Sequence, residues 1–258
     1  MKGHVIRTTN VATLEFDPAL WTKTVTINGQ NIELAQPTLQ TGNSISVHNI
    51  GTSQASVKSE DQAAISQRYG RQLGSMTAIL RSQGPFVIRH PAVGNTSQIA
   101  LQVSRNLHQY FQADALILPS FSDARLSNTT GNIISIAISD SVPDFSLAFP
   151  VRVGNSRCSV RDHKGHAQEY GETARGAAFL RPAGGERLEL LLWGADEEGL
   201  RQAVRVVPML TGVGQPDFVV LGESAKWRGI EGALAMGFFD WKWEVTPSSV
   251  VETGSVAV

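Results

Sequence analysis

The stretch PFVIRHPAVGNTSQIALQVSRNLHQYFQADALILP, residues 85–119, predicts the architecture of most of the chain. Its two ends, PFVIRHP and ADALILP, are short apolar segments typical of buried strands. The segment between them is amphipathic, with apolar residues at helical spacing: Ile99, Val103, Leu107, Tyr110 and Phe111. A strand, a helix and a second strand in this order form a βαβ unit, which pairs its strands in parallel through a right-handed crossover.

Similar elements follow towards the C-terminus. Four further segments are predicted strands: NIISIAISD (132–140), GAAFLRP (176–182), RLELLLWG (187–194) and PDFVVL (216–221). A helix is predicted to begin at an Asp196 cap, and a shorter helix is predicted in ESAKWRGIEGALAMG (223–237). We therefore expect an α/β domain over residues 59–258, built as a layered, mostly parallel sheet with flanking helices.

The first 58 residues predict a separate, β-rich annex. In KTVTINGQNIEL (23–34), the dipeptide Asn28-Gly29 between two apolar segments is a strong hairpin signal. The annex is followed by SEDQAAISQRYGRQLGSMTAILRSQG (59–84), whose apolar spacing predicts a helix. Ser59-Glu60-Asp61 provides its predicted cap, and Gly70 and Gly74 weaken its middle. The predicted boundary between the annex and the α/β domain therefore lies between residues 58 and 59.

The bulk composition disfavours several classes of partner. Charged residues make up 17% of the chain and the net charge is −1, so we expect no nucleic-acid partner and no membrane partner. No apolar run is long enough to span a bilayer, and the first residues lack the apolar core of a signal peptide. The chain is thus expected to be cytoplasmic or a piece of a longer protein.

The single cysteine, Cys158, excludes an internal disulfide and a cysteine metal cluster. We interpret it as a buried small hydrophobe rather than a nucleophile. Two N-x-S/T sequons, at Asn95 and Asn128, are candidate glycosylation sites and give weak support for secretion.

Motifs for common chemistries are absent from the sequence. There is no G-x-S-x-G nucleophile elbow, no phosphate-binding loop, no G-x-G-x-x-G and no H-E-x-x-H. WGADEEGL (193–200) joins a strand to a helix, but its three acids would repel a phosphate, so it is interpreted as a plain helix cap. No cofactor is expected.

Two clusters remain as candidate polar sites. His163 and His166 lie three residues apart in RDHKGHAQEY (161–170) and are candidate metal ligands, although a solvated turn is the favoured interpretation. His90 ends a predicted strand, Asn95 begins a helix, and Asp140 follows a third strand. Ligands often bind at the carboxyl ends of parallel strands, but an ordinary strand–helix loop is the favoured interpretation here.

The stretch GFFDWKWEV (237–245) alternates aromatic and charged residues, which predicts a final, half-buried strand. Its aromatic face, Phe239, Trp241 and Trp243, could be a core wall or an exposed platform on which a sugar stacks. We favour the core, because large aromatics dominate the free energy of burial.

Several long segments together show a family resemblance: RYGRQLGSMTAILRSQGPF (68–86), LQVSRNLHQYF (101–111), FLRPAGGERLELLLWGADEEGL (179–200) and VPMLTGVGQPDFVV (207–220). Over roughly residues 60–245 the chain resembles the C-terminal part of fungal secreted prolyl-oligopeptidase-like (S9-type) α/β-hydrolase proteins. The resemblance implies an extracellular setting and attachment to a hydrolase domain. The serine-containing catalytic domain of that family is absent here, so no catalytic residue is carried over.

Three hypotheses for the function follow. The first is a non-catalytic accessory or interaction module whose partner is a hydrolase domain, or a polysaccharide or peptide substrate. The second is a hydrolase in its own right, with a site at the strand C-termini around His90, Asn95 and the loop after Asp140. The third is a carbohydrate-binding module that uses Trp241 or Trp243. Side-chain burial discriminates among all three.

Overall fold

The computed structural model of the protein describes residues 4–7, 13–16, 24–33, 45–48, 56–58, 65, 67–122, 124–207 and 215–251. The chain divides into two compact units. Unit 1 is Met1–Ala64 with Ser146–Ala148, and unit 2 is Ile65–Phe145 with Phe149–Val258.

The described part of unit 1 contains six short strands, β1 (His4–Ile6), β2 (Thr13–Phe16), β3 (Thr24–Ile27), β4 (Gln30–Glu33), β5 (Ile45–His48) and β6 (Ser56–Lys58). They form two three-stranded sheets, in the orders β1-β3-β4 and β2-β5-β6. The predicted hairpin at Asn28-Gly29 is present, because β3 and β4 pair antiparallel around it. Both turn residues have positive φ, 51° and 86°, as a tight two-residue hairpin turn requires.

Unit 2 is built on strands β7 (Phe86–Arg89), β8 (Ala115–Leu118), β9 (Ile133–Ile138), β10 (Val151–Gly154), β11 (Arg157–Arg161), β12 (Ala167–Glu169), β13 (Ala174–Pro182), β14 (Leu188–Gly194), β15 (Phe218–Gly222), β16 (Ala233–Gly237) and β17 (Val250–Val251). Its described α-helices are α1 (Thr96–Phe111), α2 (Glu197–Val204) and α3 (Ala225–Arg228). Eight strands form one sheet in the order β17-β16-β15-β13-β14-β9-β7-β8, and β10-β11-β12 form a separate antiparallel sheet.

The prediction of a layered, mostly parallel α/β fold is wrong, because the large sheet is mixed and the described chain is rich in strands. Strands β8, β7, β9 and β14 pair in parallel, whereas every pairing from β14 through β13, β15 and β16 to β17 is antiparallel. The physical reason is connection length. The β13–β14 turn (183–187) and the β15–β16 connection (223–232) are too short for the crossover of about a dozen residues that parallel pairing needs.

The predicted βαβ unit is confirmed as β7-α1-β8, with its two strands in parallel register. Helix α1 buries Ala100, Val103 and Leu107 against the sheet, while Tyr110, which the sequence pattern placed inward, is exposed. The cap predicted for α2 is also confirmed, because Asp196 Oδ1 accepts a hydrogen bond from the Gly199 backbone N–H at 2.8 Å. No helix among the described residues could cross a membrane.

The helix predicted over 59–84 is wrong in its described part. Residues 67–84 contain two 3₁₀ helices, Gly70–Gln72 and Met76–Leu80, and no α-helix, while the predicted cap at Ser59-Glu60-Asp61 lies outside the described residues. The φ angles of Gly70 and Gly74 are 53° and 109°, in a region that a right-handed helix cannot use. These two glycines, which only weakened the prediction, therefore prevent a continuous right-handed α-helix over this segment.

The predicted closing strand GFFDWKWEV is also wrong. The strand at this place is β16, the ALAMG segment, which lies next to the edge strand β17, and α3 is correspondingly shorter than the helix predicted there. Residues 240–244 form a turn in which Asp240 Oδ1 accepts the backbone N–H groups of Lys242 and Glu244 at 2.8 and 2.9 Å. An aspartate that binds the backbone in this way competes with strand pairing, and the φ of 64° at Trp243 breaks the alternation of side chains.

Candidate functional site

The carboxyl ends of β7, β9 and β14 meet at one edge of the sheet, because these strands run in parallel. His90 follows β7, Asp140 lies two residues beyond β9, and α1 and α2 both begin at this edge. The fold therefore brings three of the sequence-predicted residues, His90, Asn95 and Asp140, to one edge of unit 2.

The histidine at this edge is enclosed. His90 is 4% exposed, and its Nδ1 lies 2.9 Å from the Pro91 carbonyl and 3.3 Å from Thr96 Oγ1. The Thr96 hydroxyl is itself buried and donates to backbone carbonyls, including that of Val93 at 2.8 Å. A histidine–hydroxyl pair is thus present, but it binds the strand–helix loop and does not face an open cleft.

The helix N-termini at the same edge are occupied by carboxylates of the chain. Glu197 Oε2 accepts from the Asn95 side-chain amide at 3.1 Å, and Oε1 accepts from the Asn95 backbone at 3.3 Å. Asp196 caps α2 and forms an ion pair with Arg175. Asp140 is exposed and lies outside these interactions. These acids stabilise the helix dipoles and occupy the positions that an anionic ligand would need.

A groove runs between α1 and α2 and encloses about 520 Å³, within the usual range for ligand sites. Its α1 wall carries carboxamides, and its α2 wall carries Arg201 and Arg205. Its apolar floor includes Val204 and Val207. Asn95, at one end of the groove, is the only sequence-predicted site residue among those that line it.

A row of charged side chains crosses four neighbouring strands inside the sheet. Glu189, 3% exposed, binds Arg89 Nη2 at 2.7 Å and Arg181 Nε at 2.8 Å, and the Ser135 hydroxyl also donates to it. Arg89 Nε in turn donates to Ser135 Oγ at 2.6 Å. Burial alone would raise the pKa of Glu189, but the two guanidinium groups and their hydrogen bonds lower it to about 2.

The sequence interpretation missed this row, although its signal is visible as single charged residues inside apolar strands, as in FVIR, FLRP and LELLL. Phe145 covers Arg181, with the guanidinium 4.4 Å from the ring centroid. Because this row is enclosed and its carboxylate is fully hydrogen-bonded, we interpret it as structural.

The candidate metal ligands lie in the exposed turn between β11 and β12. His163 and His166 are both exposed, and Asp162 organises the turn by accepting the backbone N–H groups of Lys164 and His166. Within the described ranges, no three His, Cys, Asp or Glu side chains are grouped so that they could hold a metal ion.

The two tryptophans of GFFDWKWEV lie in different environments. Trp243 is 1% exposed, packs 6.0 Å from the Phe239 ring and lies under the Arg68 guanidinium at 4.6 Å. Trp241 is 51% exposed, with Lys242 Nζ 5.0 Å from its ring. The sequence prediction of one buried aromatic face therefore fails at Trp241, because the turn at Asp240 rotates it outward.

The remaining candidates differ in accessibility. Asn128 is exposed, whereas the amide of Asn95 is held by Glu197. Cys158 is buried, and burial raises the pKa of its thiol to about 12.

Trp227, which the sequence interpretation did not select, is 83% exposed beside Lys226.

Comparison with known proteins finds a fungal relative. No family model matches the sequence. A curated protein of the fungus Arthroderma benhamiae, named an uncharacterized secreted protein, is 39% identical over 191 residues, which are 72% of this chain and 20% of that protein. The chain thus spans about a fifth of that relative's length. The expected similarity to a secreted fungal protein is confirmed, and the prolyl-oligopeptidase-like part of the resemblance stays a prediction.

Proposed function

We propose that the chain is a non-catalytic accessory or interaction module of a larger secreted protein. The observation that carries this proposal is the closed strand edge of unit 2, where His90, Thr96, Asn95 and Glu197 bind one another or the backbone. A hydrolytic site needs a nucleophile and a base that reach a substrate, and this histidine–hydroxyl pair is buried.

The cysteine supports the same proposal. The reactive form of cysteine is the thiolate, and a pKa of about 12 keeps the buried Cys158 thiol protonated at neutral pH. An extracellular setting is part of the proposal and is supported by the printed name of the fungal relative, a secreted protein. The suggestion that the larger protein carries a prolyl-oligopeptidase-like hydrolase domain rests on the sequence resemblance alone.

The test is a measurement of hydrolysis on the isolated chain. We expect no labelling by a fluorophosphonate serine-hydrolase probe and no turnover of p-nitrophenyl acetate above the buffer rate. The variants His90→Ala and His108→Ala form a matched pair, because His108 is an exposed histidine on α1. Stoichiometric labelling of a serine, or turnover that only His90→Ala removes, would show that the chain is a hydrolase.

A second candidate function is carbohydrate binding at Trp241. The observation in its favour is a half-exposed indole on a turn that hydrogen bonds hold in place. Asp240 accepts the backbone N–H groups of Lys242 and Glu244, and the Trp241 carbonyl accepts from the Arg68 backbone N–H at 2.7 Å. An exposed, fixed ring can stack on a sugar, whereas the buried Trp243 cannot.

The test of this second function is quenching of tryptophan fluorescence by neutral oligosaccharides such as cellotriose and chitotriose. Trp241→Ala should abolish the quenching, and Trp227→Ala, which removes another exposed indole, should leave it unchanged. If both variants retain the quenching, Trp241 is not the platform.

A further inference from the structure

The α1 wall of the groove between the two helices presents a line of carboxamides. Gln98, Gln102 and Asn106 all line it, and their spacing of four residues places them on one side of the helix. They extend over about 12 Å at 1.5 Å per residue. A carboxamide carries both donors and an acceptor, which is the combination that a sugar hydroxyl matches. Part of this capacity is already used, because Gln102 Nε2 donates to Asn106 Oδ1 at 3.4 Å and Asn106 Nδ2 donates to the Val207 carbonyl at 3.3 Å.

The α2 wall presents two guanidinium groups one turn apart. Arg201 approaches Glu197 only at 4.0 Å, and Arg205 forms no ion pair within the part of the chain that the structure describes. The described residues that line the groove include no acidic side chain. The charged side chains among the described residues that line the groove are therefore both cationic, and Glu197, which binds Asn95 and lies 4.0 Å from Arg201, is the acid beside one end of it.

From this arrangement we propose that the groove binds a carboxylate-bearing oligosaccharide, such as a short chain of uronic acids. A guanidinium pairs with a carboxylate through two parallel hydrogen bonds, and the carboxamide line binds the hydroxyls of the same ligand. The apolar part of the lining is aliphatic, with Ile99 beside Val204 and Val207, so it lacks the aromatic ring on which neutral sugars stack. An acidic peptide would also satisfy the arginines, so a peptide carboxylate ligand is a separate arm of the test.

This inference goes beyond the proposed function and does not depend on whether the chain is catalytic. The groove is lined by α1 and α2, whereas the tryptophan platform lies on the turn after β16. Binding at the two places can therefore be separated by substitution.

The experiment is isothermal titration calorimetry of the whole chain with tri-galacturonate at constant ionic strength. Arg205→Gln should weaken binding by about tenfold or more, the effect of losing a charge-assisted hydrogen bond. Arg105→Gln removes the same charge from an exposed α1 position that does not line the groove, so it should leave the dissociation constant unchanged. Gln102→Leu should also weaken binding, and Trp241→Ala should have no effect.

Two further compounds identify the ligand class: galactotriose has sugar hydroxyls but no carboxylate, and tri-glutamate has carboxylates but no sugar hydroxyls. We expect both to bind at least tenfold more weakly than tri-galacturonate. The proposal is overturned by absence of tri-galacturonate binding, by equal losses in Arg205→Gln and Arg105→Gln, or by a tri-glutamate affinity equal to that of the uronate. Thermal melts of each variant establish that it is folded before titration.

Discussion

Replacing Glu189 by glutamine removes the carboxylate that two buried arginines share. In the native chain, Oε1 binds Arg89 at 2.7 Å and Arg181 at 3.0 Å, and Oε2 binds Arg181 at 2.8 Å. Glutamine keeps the shape of the side chain but turns one acceptor into an N–H donor that faces a guanidinium. Because removal of one partner leaves buried charge uncompensated, the free energy of unfolding should fall by about 3–5 kcal/mol.

The pH dependence gives an independent magnitude. The pKa of Glu189 falls from its ordinary 4.5 to about 2 in the folded chain, which corresponds to roughly 3 kcal/mol at 1.36 kcal/mol per pKa unit. Since the folded pKa is the lower one, the unfolded chain binds more protons between these values. This stabilisation is complete above about pH 4.5 and is lost as the pH falls towards 2. The Glu189→Gln variant lacks this pH-dependent stabilisation, because glutamine does not ionise.

Urea denaturation at pH 7 and at several pH values down to 2.5 measures both effects. Glu186→Gln is the matched control, because Glu186 pairs with Arg71 at 2.8 Å on the surface and should cost about 1 kcal/mol or less. Asp217, whose pKa burial raises, titrates in all three proteins and cancels from the comparison. The reasoning is refuted if Glu189→Gln costs no more than Glu186→Gln, or if the parent–variant difference does not shrink as the solution is acidified.

Three shorter predictions concern other side chains. Trp243→Ala should lower the free energy of unfolding by about 3–5 kcal/mol in urea denaturation, since it empties a core position, whereas Trp241→Ala should cost about 0.5 kcal/mol; equal costs would contradict the assigned burial. Cys158 should react with Ellman's reagent only after unfolding, and rapid labelling of the native chain would show that the thiol is accessible. On expression through a eukaryotic secretory pathway, Asn128 rather than Asn95 should carry the glycan, because only Asn128 has an exposed side chain free of the Glu197 contacts; glycopeptide mass spectrometry that finds a glycan on Asn95 alone would contradict this.

Local signals in the sequence predicted individual elements of the chain better than the arrangement of the strands in the large sheet. The βαβ unit, the Asp196 cap and the Asn28-Gly29 hairpin each follow from residues close together in the chain. The direction of each strand in the other half of the sheet depends on the length of the connection before it. The 183–187 turn is too short for a crossover, so β13 and β14 pair antiparallel, and the sequence interpretation did not draw this conclusion. GFFDWKWEV was misassigned because its alternation is also compatible with a turn that Asp240 holds.

The buried charged row could not be predicted in the same way, because its members come from distant segments. Arg89 and Glu189 are 100 positions apart, and they meet only through the register of the intervening strand that carries Ser135. Each residue alone is an isolated polar side chain in an apolar strand. Recognising the row from sequence requires the order of the strands, which single-sequence periodicity does not contain.

The edge at the carboxyl ends of β7, β9 and β14 is occupied by side chains of the protein itself, so a ligand site is better expected elsewhere on unit 2. Parallel strands usually direct ligands to their carboxyl ends, but here Glu197 binds the start of α1 and Asp196 caps α2. An anionic ligand at that edge would have to displace these carboxylates and break the caps that hold the helices. The Arg201 and Arg205 guanidinium groups line the groove from exposed positions of α2, and Arg205 has no ion pair among the described residues that a ligand would have to break. The same helix that closes the strand edge thus supplies the more accessible charge, on the side that faces α1.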